Sequence, residues 1–262
     1  MTSLSLVLRL NALSCLGFGA LFVLWPTAVS AVLGSMPPVV LVGLGAVLMG
    51  NGLHLVVSSF RRKAIPAEIL WFSIGDLIWW LATLALIAFD LWVTTALGIV
   101  LALAVAVAVA AMGVTQLFLL GIERSGLTPG AHWRQIGRSW LALPRWVKFW
   151  LFALNIVFLL SPVFLPLWAA TVVLISYVAS GPLLLAFAVH DGGLSRVMGI
   201  GHLVPWLPML AWLMVVAMPA LTATSLAYLW LLIAMTAICL ALDVYDLGRW
   251  ARGDRVIMGQ PA

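Results

Sequence analysis

Apolar runs long enough to cross a bilayer as helices recur along the whole chain, separated by short polar stretches. In order they predict eight spans: Leu4 to Trp25, Pro38 to Phe60, Ala67 to Phe89, Gly98 to Ile122, Val147 to Pro166, Trp168 to Val189, Val197 to Ala217 and Ser225 to Leu247. About 20 apolar residues suffice for a helix to traverse the hydrocarbon core. The runs do not alternate residue by residue, as the strands of a membrane β-barrel would. Arg9 and the "AVSA" stretch give the first run the outline of a secretory signal. Its match to the fifth span, described next, argues that it is retained.

The pattern repeats. "IGDLIWWLA" (Ile74 to Ala82) returns as "IGHLVPWLP" (Ile200 to Pro208), 126 positions later, with five of nine residues identical and Asp76 replaced by His202. "AAMGVTQLFLLGIERSG" aligns with "AICLALDVYDLGRWARG", setting Gln116 against Asp243, and Leu10-Asn11 matches Leu154-Asn155. The expected architecture is therefore all-α: eight transmembrane helices arranged as two tandem four-helix repeats, 1-126 and 147-262. Residues 127-146 form an amphipathic connector between them. Because each copy has an even number of spans, both enter the membrane with the same polarity, and a pseudo-two-fold axis along the membrane normal should relate them.

Charge orients this bundle. All thirteen Lys and Arg residues fall at the amino end, at the even-numbered connections or at the carboxyl end, and the odd-numbered connections have none. The positive-inside rule then puts both termini in the cytoplasm, the chain being a multi-pass protein of the cytoplasmic (inner) membrane. Trp25, Trp92, Trp168 and Trp230 fall at the outer ends of spans and Trp71, Trp146, Trp150 and Trp250 at the inner ends, as interfacial belts require. In the connector, Trp133, Ile136 and Trp140 share one helical face and Arg134 and Arg138 another. A short helix on the cytoplasmic surface is expected, serving as a link or as a contact for anionic lipid or a partner protein.

Composition agrees with the bilayer as solvent. Of 262 residues 65% are hydrophobic and 8% charged, and the mean hydropathy is +1.20. No room remains for a sizeable soluble domain, and the net charge of +5 is topology signal, so a nucleic-acid partner is not expected. Cys15 and Cys239 lie inside apolar runs and read as small buried hydrophobes.

A charged side chain deep in a span costs about 2.5–3.5 kcal/mol on insertion scales, which makes each one a candidate for function. Counting about 1.5 Å per residue from the cytoplasmic end of each span, Asn11, His54, Asp76, Gln116, Asn155, His202 and Asp243 form one layer in the cytoplasmic half. Gly50-Asn51-Gly52 and Ser180-Gly181-Pro182 read as backbone interruptions at matched places in the two copies. Paired interruptions point to a binding site in transporters, whereas close packing through small residues is the plainer account. Candidate binding residues are thus Asn11, Asn51, His54, Asp76, Gln116, Asn155, Ser180, His202 and Asp243.

Two pairings are open for the central position. Asp76 and His202 face each other if their spans line the axis; otherwise each finds a partner in its own half, Asp76 with His54 or Arg9 and His202 with Asp243. The packing of sequence neighbours favours the second. His132 is expected at the interface, His190 and Asp191 at a solvated helix end, Asp246 in a local pair with Arg249, and Pro205 and Pro208 at a kink.

No catalytic or metal-binding signature is present. Three functions remain: a small-solute or proton-linked carrier using the polar layer, a haem- or pigment-binding redox protein using His54 or His202 as axial ligand, or a non-catalytic assembly subunit whose polar residues serve helix packing.

Overall fold

Each apolar run folds as a helix because, inside a bilayer, only a helix satisfies every backbone N–H and C=O within its own segment. The computed structural model describes residues 3–259, and they are all-helical, with 84% of residues in helices and no strands. Contacts divide the chain between Ser125 and Gly126 into two compact units.

The first unit contains α1 (Ser3–Leu24), the short α2 (Pro26–Leu33), α3 (Pro38–Ser59), α4 (Pro66–Ala88) and α5 (Ala96–Ser125). Proline at the first turns of α2, α3 and α4 costs no hydrogen bond and fixes where each helix begins. Helix α1 packs along α3 and α4 along α5, and α1 also touches α5. Small residues let backbones close up: a β-carbon on Gly19 would lie 2.9 Å from the Gly45 carbonyl oxygen, and one on Gly45 would lie 2.8 Å from that of Gly19.

The second unit contains α6 (Pro129–Leu141), α7 (Arg145–Leu159), α8 (Ser161–Phe164), α9 (Leu167–Asp191), α10 (Ile200–Trp212) and α11 (Ala223–Ala251). A 3₁₀ turn at Arg196–Gly199 leads into α10, and a π-helical stretch at Leu213–Ala217 and a 3₁₀ turn at Met218–Ala220 follow it. Pro205 and Pro208 lie within α10 itself, which runs unbroken from Ile200 to Trp212, and the irregular backbone falls on either side of it rather than at the prolines. Its core gathers Phe158, Val173, Leu213, Leu229 and Leu232 with Trp206.

Seven helical segments among the described residues are long and apolar enough to span a membrane. The predicted fifth span is the exception. Helix α7 has 15 residues, about 22 Å of rise against a core of about 30 Å, and breaks at Leu160 before the Pro162-bearing α8. An eighth crossing exists only if α6 and α7, bent by 94°, are counted as one broken span.

The two predicted interruptions are absent: α3 runs unbroken through Asn51 and α9 through Ser180 and Pro182. At Gly52 the plainer account holds, since a β-carbon there would meet the Leu16 side chain at 2.8 Å, whereas nothing approaches Gly181 within 4 Å. Continuous ladders on either side outweigh the single hydrogen bond that Pro182 removes.

Candidate functional site

A carboxylate in the middle of an apolar bundle needs hydrogen bonds, and the first unit supplies them from two helices. Asp76 on α4 is 4% exposed. Its Oδ2 accepts from Asn11 Nδ2 of α1 at 2.8 Å and from Gln116 Nε2 of α5 at 2.9 Å. Asn11 Oδ1 in turn lies 3.7 Å from the Cys15 thiol, and Asn51 Nδ2 lies 3.6 Å from the same sulfur. Gly113 lets α5 approach, since a β-carbon there would sit 2.8 Å from Asp76 Cβ. Among the described residues no cation pairs with Asp76, so its partners are neutral amides.

His54 and Arg9, the partners expected for Asp76, are engaged instead at the end of the unit that carries the basic residues. His54 Nε2 lies 3.5 Å from Glu68, which also pairs with Arg61 at 3.0 Å and accepts from Ser58 at 2.8 Å. Arg9 reaches Ser59 and lies over the Phe60 ring. The reason is reach: α4 begins at Pro66, which brings Glu68, and not Asp76, level with the end of α3. Glu68 carries no functional signal in the sequence because an acid in a first turn is an ordinary helix start.

Beside Asp76 lies a cleft of about 560 Å³ between α3 and α4, floored by α1. Asn11, Cys15, Asn51, His54 and Asp76 line it with Phe18, Leu44, Val47, Trp71, Ile74, Ile78 and Trp79. A second cavity of about 610 Å³ shares Phe18, Leu44, Trp79, Ala82 and Val105 and continues toward Trp25, Leu33 and Met36, with Thr83 its single polar side chain. The first unit therefore offers a long apolar recess with its polar groups gathered at one end. Four sequence candidates, Asn11, Asn51, His54 and Asp76, line that polar end, and Gln116 holds Asp76 from behind.

The second unit gathers a different set. His202 Nδ1 on α10 lies 3.0 Å from Asp243 Oδ2 on α11, as one of the two expected pairings has it, and Cys239 Sγ lies 3.7 Å from the same oxygen. The imidazole stacks on Trp206 at 4.2 Å between centroids, and Trp206 Nε1 donates to the Ser176 carbonyl. Asn155 stands apart, bonded to Tyr177 and to the Leu151 carbonyl, and Ser180 donates to the Tyr177 carbonyl. Tyr177, in the sequence one more aromatic within a span, joins these two candidates.

Near the ends of α10 and α11 the ion pairs also differ from expectation. Asp246 pairs with Arg196, which lies 3.3 Å from Asp254, and Arg249 pairs with Asp254. The chain turns back after α11, which brings Asp254 onto Arg249 and leaves Asp246 for Arg196. At Asp254, desolvation raises the carboxyl's pKa, but the hydrogen bond from Arg249 and the charge of Arg196 outweigh it and hold the group below its ordinary value. His190 and Asp191 pair at 2.7 Å where Gly192, at φ 74°, ends α9.

Helix α6 has the expected amphipathic form, with Thr128 capping its start. It docks by a side other than either predicted face. His132 is 1% exposed, with Nε2 2.7 Å from the Val189 carbonyl, and buried Ser139 accepts from the Leu194 amide. Those two bonds satisfy groups at the end of α9, which draws His132 inward instead of leaving it at an interface. Trp133 and Trp140 remain exposed, as do Arg134 and Arg138.

No protein family, curated protein or solved structure matches this chain.

Proposed function

We propose that this multi-pass membrane protein binds a small amphipathic molecule in the first unit, as the binding step of a proton-linked carrier. The observation that carries the reading is the recess itself: Asn11, Asn51, His54 and Asp76 at one end of a cleft whose remaining wall, apart from the hydroxyls of Ser14 and Thr83, is apolar and aromatic. A fully water-soluble solute would leave most of that wall without a matching partner, whereas a molecule with a polar head and a lipophilic body suits both ends. Helices α3 and α4 flank the opening with exposed Val47, Trp71, Ile74 and Ile78, a surface facing hydrocarbon, so entry from the bilayer is direct.

Asp76 supports the proton-linked part. Held by neutral amides, it exchanges a proton without breaking an ion pair. Gln116 Oε1 is buried with no partner among the described residues, and turning that amide over lets it accept from a protonated Asp76. An intramembrane ionisable group of this kind is a usual element of proton pathways.

The setting we infer is the one the charges indicate: both termini cytoplasmic and the polar end of the recess toward that face. A duplication joining the two units is supported by matched pairing, because Asp76 bonds Gln116 and His202 bonds Asp243, the positions that the repeat aligns.

The test is to identify what co-purifies. Gly50 and Gly75 line the cleft, and a β-carbon added at either would have nothing within 4 Å, so Gly75→Leu fills the cleft without a backbone clash. Mass spectrometry of the detergent-purified protein should find an amphipathic molecule with the unaltered chain and with Gly181→Leu, and lose it with Gly75→Leu. Equal retention in all three would overturn the reading.

A further inference from the structure

Cys239 and Asp243 are four residues apart on α11, so one helical face presents both, and the first turn of α10 brings His202 against them. Their donor atoms, imidazole Nδ1, thiol Sγ and carboxylate Oδ2, all lie within 4.8 Å of one another. The Nδ1–Oδ2 separation is 3.0 Å and the Sγ–Oδ2 separation 3.7 Å. Tetrahedral coordination at zinc, with bonds of about 2.0–2.3 Å, sets ligand atoms about 3.3–3.7 Å apart. One separation falls in that range, one is shorter by about 0.3 Å and the third is within 4.8 Å, so the three groups converge on one point and shifts of the side chains would open the space for an ion between them.

We propose that His202, Cys239 and Asp243 bind a divalent transition-metal ion of the zinc class, independently of the first unit's cleft. Donor chemistry selects the class: one thiolate, one imidazole and one carboxylate suit zinc or cobalt, while calcium and magnesium require oxygen donors throughout. Charge selects it too. On binding, the thiol gives up its proton and the imidazole keeps its own on Nε2, so a dication is balanced by one thiolate and one carboxylate. A neutral cluster is the form that a low-dielectric interior tolerates.

The surroundings fix the ligands. Trp206 stacks on the His202 ring, and Gly199 gives Asp243 its place, since a β-carbon at 199 would lie 2.7 Å from Asp243 Cβ and 3.0 Å from its Oδ1. Three protein ligands leave the fourth position open, the arrangement of a site that exchanges water or a substrate.

Cobalt(II) added to the chelator-treated, detergent-purified full chain tests the site, because a thiolate ligand produces a near-ultraviolet charge-transfer band. One equivalent should saturate the band, and zinc should displace it while magnesium and calcium do not. The chain has two cysteines, so the band must vanish in Cys239→Ser and persist in Cys15→Ser. His202→Gln and Asp243→Asn should weaken binding by at least the roughly 10–100-fold that loss of an outer-shell partner costs. Absence of the band, or its loss in Cys15→Ser alone, overturns the proposal. Should Cys239→Ser fail to fold, alkylation of the unaltered chain decides: zinc must slow modification of Cys239 and leave that of Cys15 unchanged, and equal rates at Cys239 with and without zinc count against the site.

Discussion

In the first unit a buried carboxylate on α4, Asp76, faces α5, where Gly113 makes room for its β-carbon and Gln116, three residues on, donates to it. In the second unit the parts are the same and the sides are exchanged: the carboxylate, Asp243, is on α11, while the glycine, Gly199, ends the turn that leads into α10 and the polar partner, His202, is in the first turn of α10 itself. A glycine followed at the third position by a hydrogen-bonding side chain is one local device for seating a carboxylate between two apolar helices. The occupants decide its chemistry. Two amides leave a neutral-partnered acid beside a cleft, whereas an imidazole and a thiol make three converging metal donors.

The glycines give the sharpest break. Gly113→Val and Gly199→Val each drive a side chain into a carboxylate Cβ under 3 Å away, and each should cost toward the upper end of about 1–3 kcal/mol of stability through overpacking. Gly181→Ala, with nothing within 4 Å, should change little. Thermal unfolding in detergent reads all three. If Gly113→Val is as mild as Gly181→Ala, the glycine is not what seats Asp76.

Next in size come the amides. Asn11→Leu and Gln116→Leu each leave Asp76 with one donor, an expected loss near the lower end of about 1–3 kcal/mol. Both donate to one oxygen, Oδ2, so the double variant should depart from the sum of the singles. Strict additivity in the same unfolding measurement would mean that the two bonds are independent and that the three residues are no unit.

How much of this is legible in the sequence depends on which physics each feature obeys. Span positions follow hydrophobic length, and the starts expected at Pro38, Ala67 and Trp168 fall within a residue or two of the helices found. Helix α7 escapes because an apolar run keeps its composition across a break, so hydropathy passes over the stop that Ser161-Pro162 places just beyond Leu160. Gly50-Asn51-Gly52 misleads in the opposite direction, since weak helix formers stay helical where tertiary packing holds them. Depth along a span predicts that Asp76 and Gln116 are level, and they meet. It cannot predict rotation about the helix axis, which is why Asn155 turns to Tyr177 and His54 to Glu68. The i, i+4 spacing of Cys239 and Asp243 is visible, but without His202 placed opposite it is one apolar cysteine near one acid.

At the basic end of each unit the exchange of roles returns at smaller energy. Glu68 is an acid receiving Arg61, His54 and Ser58, while Arg196 is a base receiving Asp246 and Asp254. Glu68→Gln and Arg196→Gln should each cost about 0.2–1 kcal/mol, as partly exposed pairs do, and hydrogen exchange should rise near the substituted hub alone. A rise at both hubs from either change would show that the two clusters are not local.

The smallest effect is a response to acid at the second hub. Asp254 titrates below its ordinary range in the folded chain, because the Arg249 hydrogen bond and the Arg196 charge outweigh the desolvation that pushes the other way. A carboxyl depressed on folding contributes stability that is fully present above its unfolded value and lost as pH falls through the folded one. The window therefore lies at and below the ordinary carboxylate range, and nothing should change between neutrality and its upper edge. What Asp254 holds is the turn-back after α11, where Met258 donates to the Leu194 carbonyl and Ile257 bridges Ser195. Acid should therefore open residues 252–259 to protease while α11 stays protected. Asp254→Asn removes the titrating group, so the variant should be cleaved there at neutral pH already and show no further acid step. Persistence of the acid step in Asp254→Asn would assign it to another carboxyl, with Asp246, the second acid on Arg196, the first to replace.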